Sequence, residues 1–307
     1  MASEIQFRTA IAAVNDNSRL RVYFQDPHAR IRETQYEGSW KGGQVGDTIA
    51  FAKHGTPLAA CTDKLRETHV FYLSSLNFLR QRSYNPAWAW GNGDIGYYNV
   101  QAAPYSKLAA VYLTDKVPEE TIHLFVQNTN DEIQEWKWTS SGGWTAGDIL
   151  GKALPGSTIA ATKWEDNIRV YIQEDNQNIV QKCYRSDKGW WDMNQVIVSK
   201  VPIQAGFDVT CFYWDVSKGI NLRLYWANSD GSFWQWCWDA PGKTYAGKMA
   251  GSTILGTEIA AIAWSNVPEL RVYYQGGTNV AGITEWLYGK VNNSSVGATG
   301  KNPLPPA

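Results

Sequence analysis

Six segments of the sequence repeat one chemical set. A cationic or titratable residue opens each: Arg21, His69, His123, Arg169, Arg223 and Arg271. Twelve positions on stands an acid or its amide, Glu33, Gln81, Glu135, Gln181 and Gln235; in the sixth copy the interval is fourteen, to Glu285. Three residues further comes an aromatic: Tyr36, Tyr84, Trp138, Tyr184, Trp238 and Tyr288. Arginine offers five donors in a rigid planar fork. A carboxylate accepts hydroxyl hydrogen bonds, and its charge strengthens them. An aromatic face covers a small apolar surface. Together these match adjacent hydroxyls flanked by C–H bonds and a methyl group, which describes a deoxy sugar. The blander reading is a set of cross-strand Arg–Glu pairs, each worth about 0.2–1 kcal/mol, with aromatics that only pack neighbouring elements. A fold repeat needs apolar periodicity, however, and does not need these polar residues at fixed spacing in six copies.

The elements that hold the set are also repeated. Ile11-Ala12-Ala13 recurs as Leu58-Ala59-Ala60, Leu108-Ala109-Ala110, Ile159-Ala160-Ala161, Val209-Thr210-Cys211 and Ile259-Ala260-Ala261, with a period close to fifty residues. Periods of this size point to propellers or solenoids. Small residues suit an innermost strand crowded by its neighbours. Arg21-Val22-Tyr23-Phe24 has the alternation and the β-rich composition of a half-buried strand. Turns are marked by Asn15-Asp16-Asn17, Asp26-Pro27, Asn128-Thr129-Asn130-Asp131 and Ser229-Asp230-Gly231. Gly-Trp signals close several units, at Trp40, Trp144 and Trp190. The pattern predicts an all-β, six-bladed β-propeller with about four antiparallel strands per blade. It forms one domain over 1–307, with units of roughly 8–56, 57–106, 107–156, 157–206, 207–256 and 257–300. A solenoid would need atypical capping repeats, and the terminal units are as regular as the middle ones. Glu4 to Arg8 are expected to join the last unit's blade, and the Pro-rich tail from Lys301 to Ala307 to run extended over the surface.

Composition narrows the function. Of 307 residues, 44% are apolar, as in a globular protein, but 16 Trp and 16 Tyr exceed what a core needs. The formal net charge is −1 and no Lys/Arg run exists, so nucleic acid is not an expected partner. No apolar run approaches a membrane helix, and the first residues carry no secretory signal pattern. Localisation is therefore read as cytoplasmic, or at a spore or cell surface by a non-classical route. The sequons within Asn292-Asn293-Ser294-Ser295 would matter only on a secretory route. Cys61, Cys183, Cys211 and Cys237 are scattered and read as buried free thiols. His28, His54, His69 and His123 show no ligand spacing, and no phosphate loop or nucleophile elbow is present; neither a metal nor another cofactor is expected.

The chain resembles the fungal fucose-binding lectins of the Aleuria type from about Phe7 to the C-terminus. The resemblance rests on Ile11-Ala12-Ala13-Val14, Arg21-Val22-Tyr23-Phe24-Gln25-Asp26, Ile31-Arg32-Glu33, Tyr36-Glu37-Gly38-Ser39-Trp40, Ala153-Leu154-Pro155-Gly156 and Leu304-Pro305-Pro306-Ala307. It implies sugar sites between blades, with the Arg and the acid or amide from one blade and the aromatics from the next. Carried over, site one is Arg21 and Glu33 with Tyr84 and Trp88. Site two is His69 and Gln81 with Trp138 and Trp144, and site three is His123 and Glu135 with Tyr184 and Trp190. Site four pairs Arg169 and Gln181 with Trp238 and Tyr245, and site five Arg223 and Gln235 with Tyr288 alone. Site six joins Arg271 and Glu285 to Tyr36 and Trp40. Histidine lacks the donor fork, so sites two and three are the weakest assignments. Any binding there should respond to pH near 6 to 7, where histidine usually titrates. The two extra residues before Glu285 leave the geometry of site six open.

The expected activity is non-catalytic recognition of L-fucose and fucosylated glycans, and the resemblance suggests a homodimer. A propeller-fold glycoside hydrolase of the sialidase kind is one alternative, but it needs one arginine cluster with paired acids or a Tyr nucleophile. Ser186-Asp187-Lys188-Gly189-Trp190, the nearest approach to that class's repeat, stands alone. A protein-interaction scaffold is the other. Its Trp-Asp marks, at Trp191, Trp214 and Trp238, fall at unequal places in the repeat.

Overall fold

A computed structural model of the chain describes residues 5–203, 205–264, 269–276, 282–289 and 304–306. The sequons at 292–295, Glu4 and the tail residues Lys301, Asn302, Pro303 and Ala307 lie outside the described residues. Each repeat folds as one antiparallel meander, with an added strand on the third in sheet one, and six such sheets give the expected six-bladed β-propeller class.

Sheet one contains β1 (Ile11–Asp16), β2 (Arg19–Gln25), β3 (Arg30–Tyr36), β4 (Trp40–Gly42) and β5 (Thr48–Phe51), with β4 and β5 both on β3. Sheet two runs β6 (Ala59–Asp63), β7 (Glu67–Leu73), β8 (Leu79–Asn85) and β9 (Ala89–Asn92). Sheet three is β10 (Leu108–Leu113), β11 (Thr121–Gln127), β12 (Glu132–Thr139) and β13 (Gly143–Lys152). Sheet four is β14 (Ile159–Trp164), β15 (Asn167–Gln173), β16 (Ile179–Arg185) and β17 (Gly189–Val198). Sheet five is β18 (Phe207–Asp215), β19 (Gly219–Ala227), β20 (Ser232–Asp239) and β21 (Lys243–Ser252). Sheet six shows β22 (Ile259–Trp264), β23 (Glu269–Tyr274) and β24 (Thr284–Tyr288). Contacts divide the chain into two compact units: Met1–Gly55 with Ala205–Ala307, and Thr56–Gln204. Sheets five, six and one belong to the first unit, and sheets two, three and four to the second.

Within each unit the first strands of successive sheets lie side by side. Alanine at positions 12, 59, 109, 160 and 260 lets these strands approach, and all five are buried. The repeat needs one correction here. Thr210 pairs with Arg223 as Val14 pairs with Arg21, so the sheet-five equivalents of Ile11-Ala12-Ala13 are Phe207-Asp208-Val209, two residues before the expected triplet. Asp208 replaces the alanine and accepts a hydrogen bond from the Ala261 N–H at 2.7 Å.

The second strands carry the core. Val22, Tyr23 and Phe24 are fully buried, as are Val70 and Phe71, Leu124 and Phe125, and Val170 and Tyr171. Burial of side chains this size contributes about 1.5–3 kcal/mol each. Within each unit the apolar clusters sit between neighbouring sheets, so the second strands of sheets three and six are covered on both faces. The strand ends are tied by buried hydroxyls and amides. The N–H groups of Gln25, Leu73, Gln127, Gln173 and Gln275 donate to the hydroxyls of Thr9, Thr56, Ser106, Ser157 and Thr257. In sheet five the backbone of Gly206 accepts from Ala227 instead. A Cβ on Gly206 would lie 2.0 Å from the Thr257 carbonyl oxygen, so no other residue fits there.

The chain ends depart from expectation. Ile283 exchanges both backbone hydrogen bonds with Leu304, at 2.8 Å each, so the far end of the chain extends the last sheet. The leading segment adds no strand among the described residues. Gln6 donates to the Gln25 carbonyl, and Ile5 joins the cluster of Tyr273, Ile283 and Leu304. Leu304 and Pro305 are buried, so this part of the tail is not a surface strap; an apolar side chain there removes more area from water by docking.

Candidate sugar-binding sites

The register of each sheet explains the repeated spacing. The residue two beyond the cation lies directly opposite the acid or amide: Tyr23 opposite Glu33, Phe71 opposite Gln81, Phe125 opposite Glu135, Tyr171 opposite Gln181, Tyr225 opposite Gln235 and Tyr273 opposite Glu285. Side chains two apart on a strand share a face, so cation, ring and acid share one face. The aromatic three beyond the acid is an odd step away and points to the opposite face; for Trp138, Tyr184, Tyr288 and Tyr36 that face packs on the preceding sheet of the same unit. The two extra residues of the sixth copy fall between β23 and β24 in the sequence, and Tyr273 still lies opposite Glu285.

Site six is assembled within the first unit. The Tyr273 hydroxyl donates to Glu285 Oε1 at 3.1 Å, and Arg271 Nε lies 3.6 Å from the same oxygen. The Trp40 indole N–H also hydrogen-bonds this carboxylate, and its ring meets Tyr273 edge-on at 6.1 Å. Tyr36 and Trp40 form a tilted pair at 5.4 Å. Arg271 is pinned by Glu269 at 3.0 Å and by the Leu270 carbonyl, and it stacks on Trp264 at 4.8 Å. Burial pushes the Glu285 carboxyl above its usual range; Arg271 and the hydroxyl and indole donors oppose that shift. The side chains of Arg271 and Glu285 keep 18% and 17% exposure, so both remain reachable.

Site three uses the same register and is closed. His123 Nδ1 lies 2.6 Å from Glu135 Oε1, and their side chains are 0% and 4% exposed. The Asp148 N–H at 3.1 Å and the Trp190 indole at 3.3 Å donate to Glu135 Oε2. A Cβ on Gly147 would stand 2.3 Å from that oxygen, so the fourth strand presses on the carboxylate. Burial alone would raise the Glu135 carboxyl, but His123 and the two other donors outweigh it and bring it below the usual range. Tyr184 is brought to the site, 5.1 Å from His123, with Trp190 5.3 Å from Tyr184.

Site two is closed as well. His69 Nδ1 meets the Gln81 amide at 2.9 Å and the Ser83 hydroxyl at 3.0 Å. The Ile95 N–H, in the adjoining 3₁₀ turn, donates to the Gln81 side-chain oxygen, and the Gly93 N–H to the Gln81 backbone carbonyl. Trp144 is 2% exposed and packs edge-on against Phe71 in the core, which removes it from any sugar surface. Burial pushes His69 down to about 4. The expected pH response near 6 to 7 is therefore not available from His69.

Site five lies in the first unit. Arg223 is nearly covered, held by Asp239 at 2.7 Å and the Leu222 carbonyl, between Phe212 and Tyr245. Tyr245, assigned above to site four, has its hydroxyl 3.3 Å from Arg223 of its own sheet. Thr244, not an aromatic, stands opposite Trp238. Tyr288 packs at the edge of the cluster between sheets five and six.

The polar sets of sites one and four each lie within one sheet. In sheet one the Tyr23 hydroxyl donates to Glu33 at 2.8 Å, and Arg21 is held by Glu37 at 2.7 Å. Burial raises the Glu33 carboxyl, against the Tyr23 bond and the Arg21 charge. In sheet four the Tyr171 hydroxyl donates to Gln181 at 2.6 Å, Gln181 donates to Gln195 at 3.0 Å, and Arg169 stacks on Trp164 at 4.6 Å. In sheet two Trp88 is in a turn and 68% exposed. Trp90 stands opposite Tyr84, with rings 5.5 Å apart and tilted by 55°, and repeats the Tyr36–Trp40 pair; it takes the place given to Trp88. The interval of six positions seen at Trp144 and Trp190 was the signal for Trp90. Also missed were the hydroxyls of Tyr23, Tyr171 and Tyr273 and the cation supports Trp164, Phe212 and Trp264. Their signal is an Arg-x-Tyr triplet wherever Arg is kept, against His-x-Phe where it is lost.

Known proteins bear directly on this arrangement. The sequence profile of the fungal fucose-specific lectins matches residues 5–307. A fucose-specific lectin of Aspergillus oryzae is 40% identical over 313 residues, covering 100% of this chain and 98% of its own. The structure of SapL1 lectin in complex with alpha methyl fucoside superposes with a TM-score of 0.88 at 35% identity, covering 100% of this chain and 99% of that one. The lectin of Aleuria aurantia, a six-bladed β-propeller, superposes with a TM-score of 0.83 at 26% identity over 97% of each chain. Match length, identity and repeated site register agree: the chain belongs to the fungal fucose-specific lectin family.

Proposed function

We propose that this protein is a non-catalytic, multivalent lectin for L-fucose and fucosylated glycans, binding through the four sets that keep arginine, in sheets one, four, five and six. The reading rests on site six. There a half-open arginine, a carboxylate oriented by hydroxyl and indole donors, and the Tyr36–Trp40 pair converge on one surface. Vicinal hydroxyls can bridge the guanidinium and the carboxylate while the rings cover C–H bonds. The curated relative is named for fucose, and the SapL1 complex holds a methyl fucoside. A hydrolase would gather its charged residues at one centre. Here they are distributed one set per sheet.

A single sugar in such a site should bind with Kd on the order of micromolar to millimolar. Several sites then act together on a glycan-coated surface, and a homodimer would double their number. Calorimetric titration with methyl α-L-fucoside tests the reading. Arg271→Ala should lower the stoichiometry by one site and leave the circular dichroism spectrum unchanged. Unchanged stoichiometry, or loss of all sites together, would sink the assignment of independent sites.

A further inference from the structure

Site five differs from sites one and six in two ways. No aromatic follows Tyr288 in the sequence, so the ring that pairs with Tyr36, Tyr84 or Tyr184 in other sheets has no counterpart after it. Its tyrosine hydroxyl is also unspent. The Tyr225 hydroxyl is buried with no hydrogen-bond partner among the described residues, whereas Tyr23, Tyr171 and Tyr273 each donate to the group opposite. Gln235, opposite Tyr225, stays partly exposed. Across from Gln235, Gly247 has nothing within 4 Å of where a Cβ would stand. The glycines facing Gln81 and Glu135 would bring a Cβ to 2.2 and 2.3 Å from those side chains. A buried hydroxyl left without a partner destabilises the fold.

The missing ring comes from the other side of the cleft. Thirteen positions separate Thr210 from its partner Arg223, against seven between Val14 and Arg21 and seven between Thr162 and Arg169. The extra length is taken up by a bulge after Phe212 and by a 3₁₀ turn at Val216–Lys218, where the Asp215 side chain accepts from the Ser217 N–H. A bulge re-aims side chains near it. Here it brings the Trp214 ring to 6.1 Å from Tyr288 at 86°, and to 5.3 Å from Phe212. The placement is braced. With its amide oxygen facing the chain, Asn221 accepts from the Trp214 N–H and donates to Asp239, both at 3.1 Å, and Asp239 holds Arg223. Trp214 nevertheless stays 43% exposed.

We propose that Trp214 is the second wall of site five and a determinant of its deoxy-sugar binding, an inference that rests on the lectin reading above. The two rings make a right-angled corner. A 6-deoxyhexose lays a C–H face on one ring and its methyl edge on the other. Gln235 turns its carbonyl onto the Tyr225 hydroxyl, as Gln181 does with Tyr171, and presents its NH₂ to a sugar hydroxyl. Arg223 supplies positive charge behind it.

The test uses the full chain with the other arginines removed, Arg21→Ala, Arg169→Ala and Arg271→Ala together, titrated calorimetrically with methyl α-L-fucoside. This background should keep one site. Trp214→Ala in it should weaken that site at least tenfold, and Trp214→Phe, which keeps a ring, should recover most of the affinity. The proposal fails if Trp214→Ala leaves the remaining site unchanged, or if the triple variant is folded but binds nothing while the parent binds. If the unmodified parent does not bind the fucoside either, the lectin reading itself falls, and the proposal with it.

Discussion

Sheets three and six share a register and end in opposite states. Both place a ring under the acid and a cation beside it: Phe125, Glu135 and His123 in one, Tyr273, Glu285 and Arg271 in the other. In sheet three the short imidazole lies 2.6 Å from the acid inside the core, and Asp148 and Trp190 take the other carboxylate oxygen. In sheet six the longer guanidinium is drawn toward Glu269 and Trp264 and stops 3.6 Å from Glu285, so both groups stay half-open. The hydroxyl below the acid completes the difference, because Tyr273 orients the carboxylate from underneath and Phe125 cannot. The same division holds along the chain: both histidine copies carry Phe two residues on, and all four arginine copies carry Tyr. One scaffold position thus serves either as an internal polar tie or as a recognition surface, decided by cation length and one hydroxyl.

The sharpest break of this comparison removes the acid from each sheet. Glu135→Ala leaves His123 and the Asp148 N–H buried without their acceptor. Breaking a buried pair this way costs about 3–5 kcal/mol. Glu285→Ala strands the Tyr273 hydroxyl, the partly exposed Trp40 indole N–H and a half-open arginine, a cost of about 1–2 kcal/mol. Denaturant midpoints should therefore fall far more for the first variant, while sugar stoichiometry should drop only for the second. Equal destabilisation would mean that sheet six is as much a structural tie as sheet three.

A middle-sized effect is expected from His69, and its sign follows from burial. The folded protein keeps this imidazole neutral down to about pH 4. The unfolded chain takes up the proton below about 6.5. Stability is thus fully present above the unfolded value and is lost as pH falls through the window from about 6.5 to 4, by about 3 kcal/mol at about 1.4 kcal/mol per unit. His69→Gln should flatten that part of the pH dependence when unfolding is compared at pH 7 and 4.5. At pH 7 the same variant should leave sugar stoichiometry unchanged, since site two is closed. A variant whose pH slope matches the parent's would show that His69 is not held neutral.

Much of this was legible before any coordinates. The period of fifty, the alternation in Arg21-Val22-Tyr23-Phe24 and the regular terminal units carried the fold class, because strand period and repeat length are properties of the sequence itself. The polar set was legible for the same reason: a fixed interval across one hairpin fixes which residues face each other. What failed depended on neighbours. Trp88 and Trp90 are both aromatic and near Tyr84, and only the turn between β8 and β9 decides which lies opposite it. Whether Trp144 is a wall or core depends on Phe71 of another sheet. The triplet at Val209 slipped by two because Asp208 broke the alanine pattern. Trp214 was read only as half of a Trp-Asp dipeptide, because a bulge that turns a side chain leaves no periodic trace.

The finest test of the comparison asks whether the hydroxyl alone matters. Tyr273→Phe gives sheet six the ring that sheet three already has and leaves Arg271, Glu285, Tyr36 and Trp40 in place. One hydrogen bond to a charged group is lost, worth about 1.5–3 kcal/mol in full. Trp40 and Arg271 still engage the carboxylate, so less than this is expected in stability, about 1 kcal/mol. The sugar should feel the change through the freed rotation of Glu285, with a several-fold rise in Kd at that site and unchanged stoichiometry. Titration in a background carrying Arg21→Ala, Arg169→Ala and Arg223→Ala isolates the site. If affinity there is unaffected, the covariation of Arg with Tyr reflects packing of the second strand and not the orientation of the acid. If binding disappears altogether, the hydroxyl contacts sugar directly, and the division between the two sheets rests on it even more than on the cation.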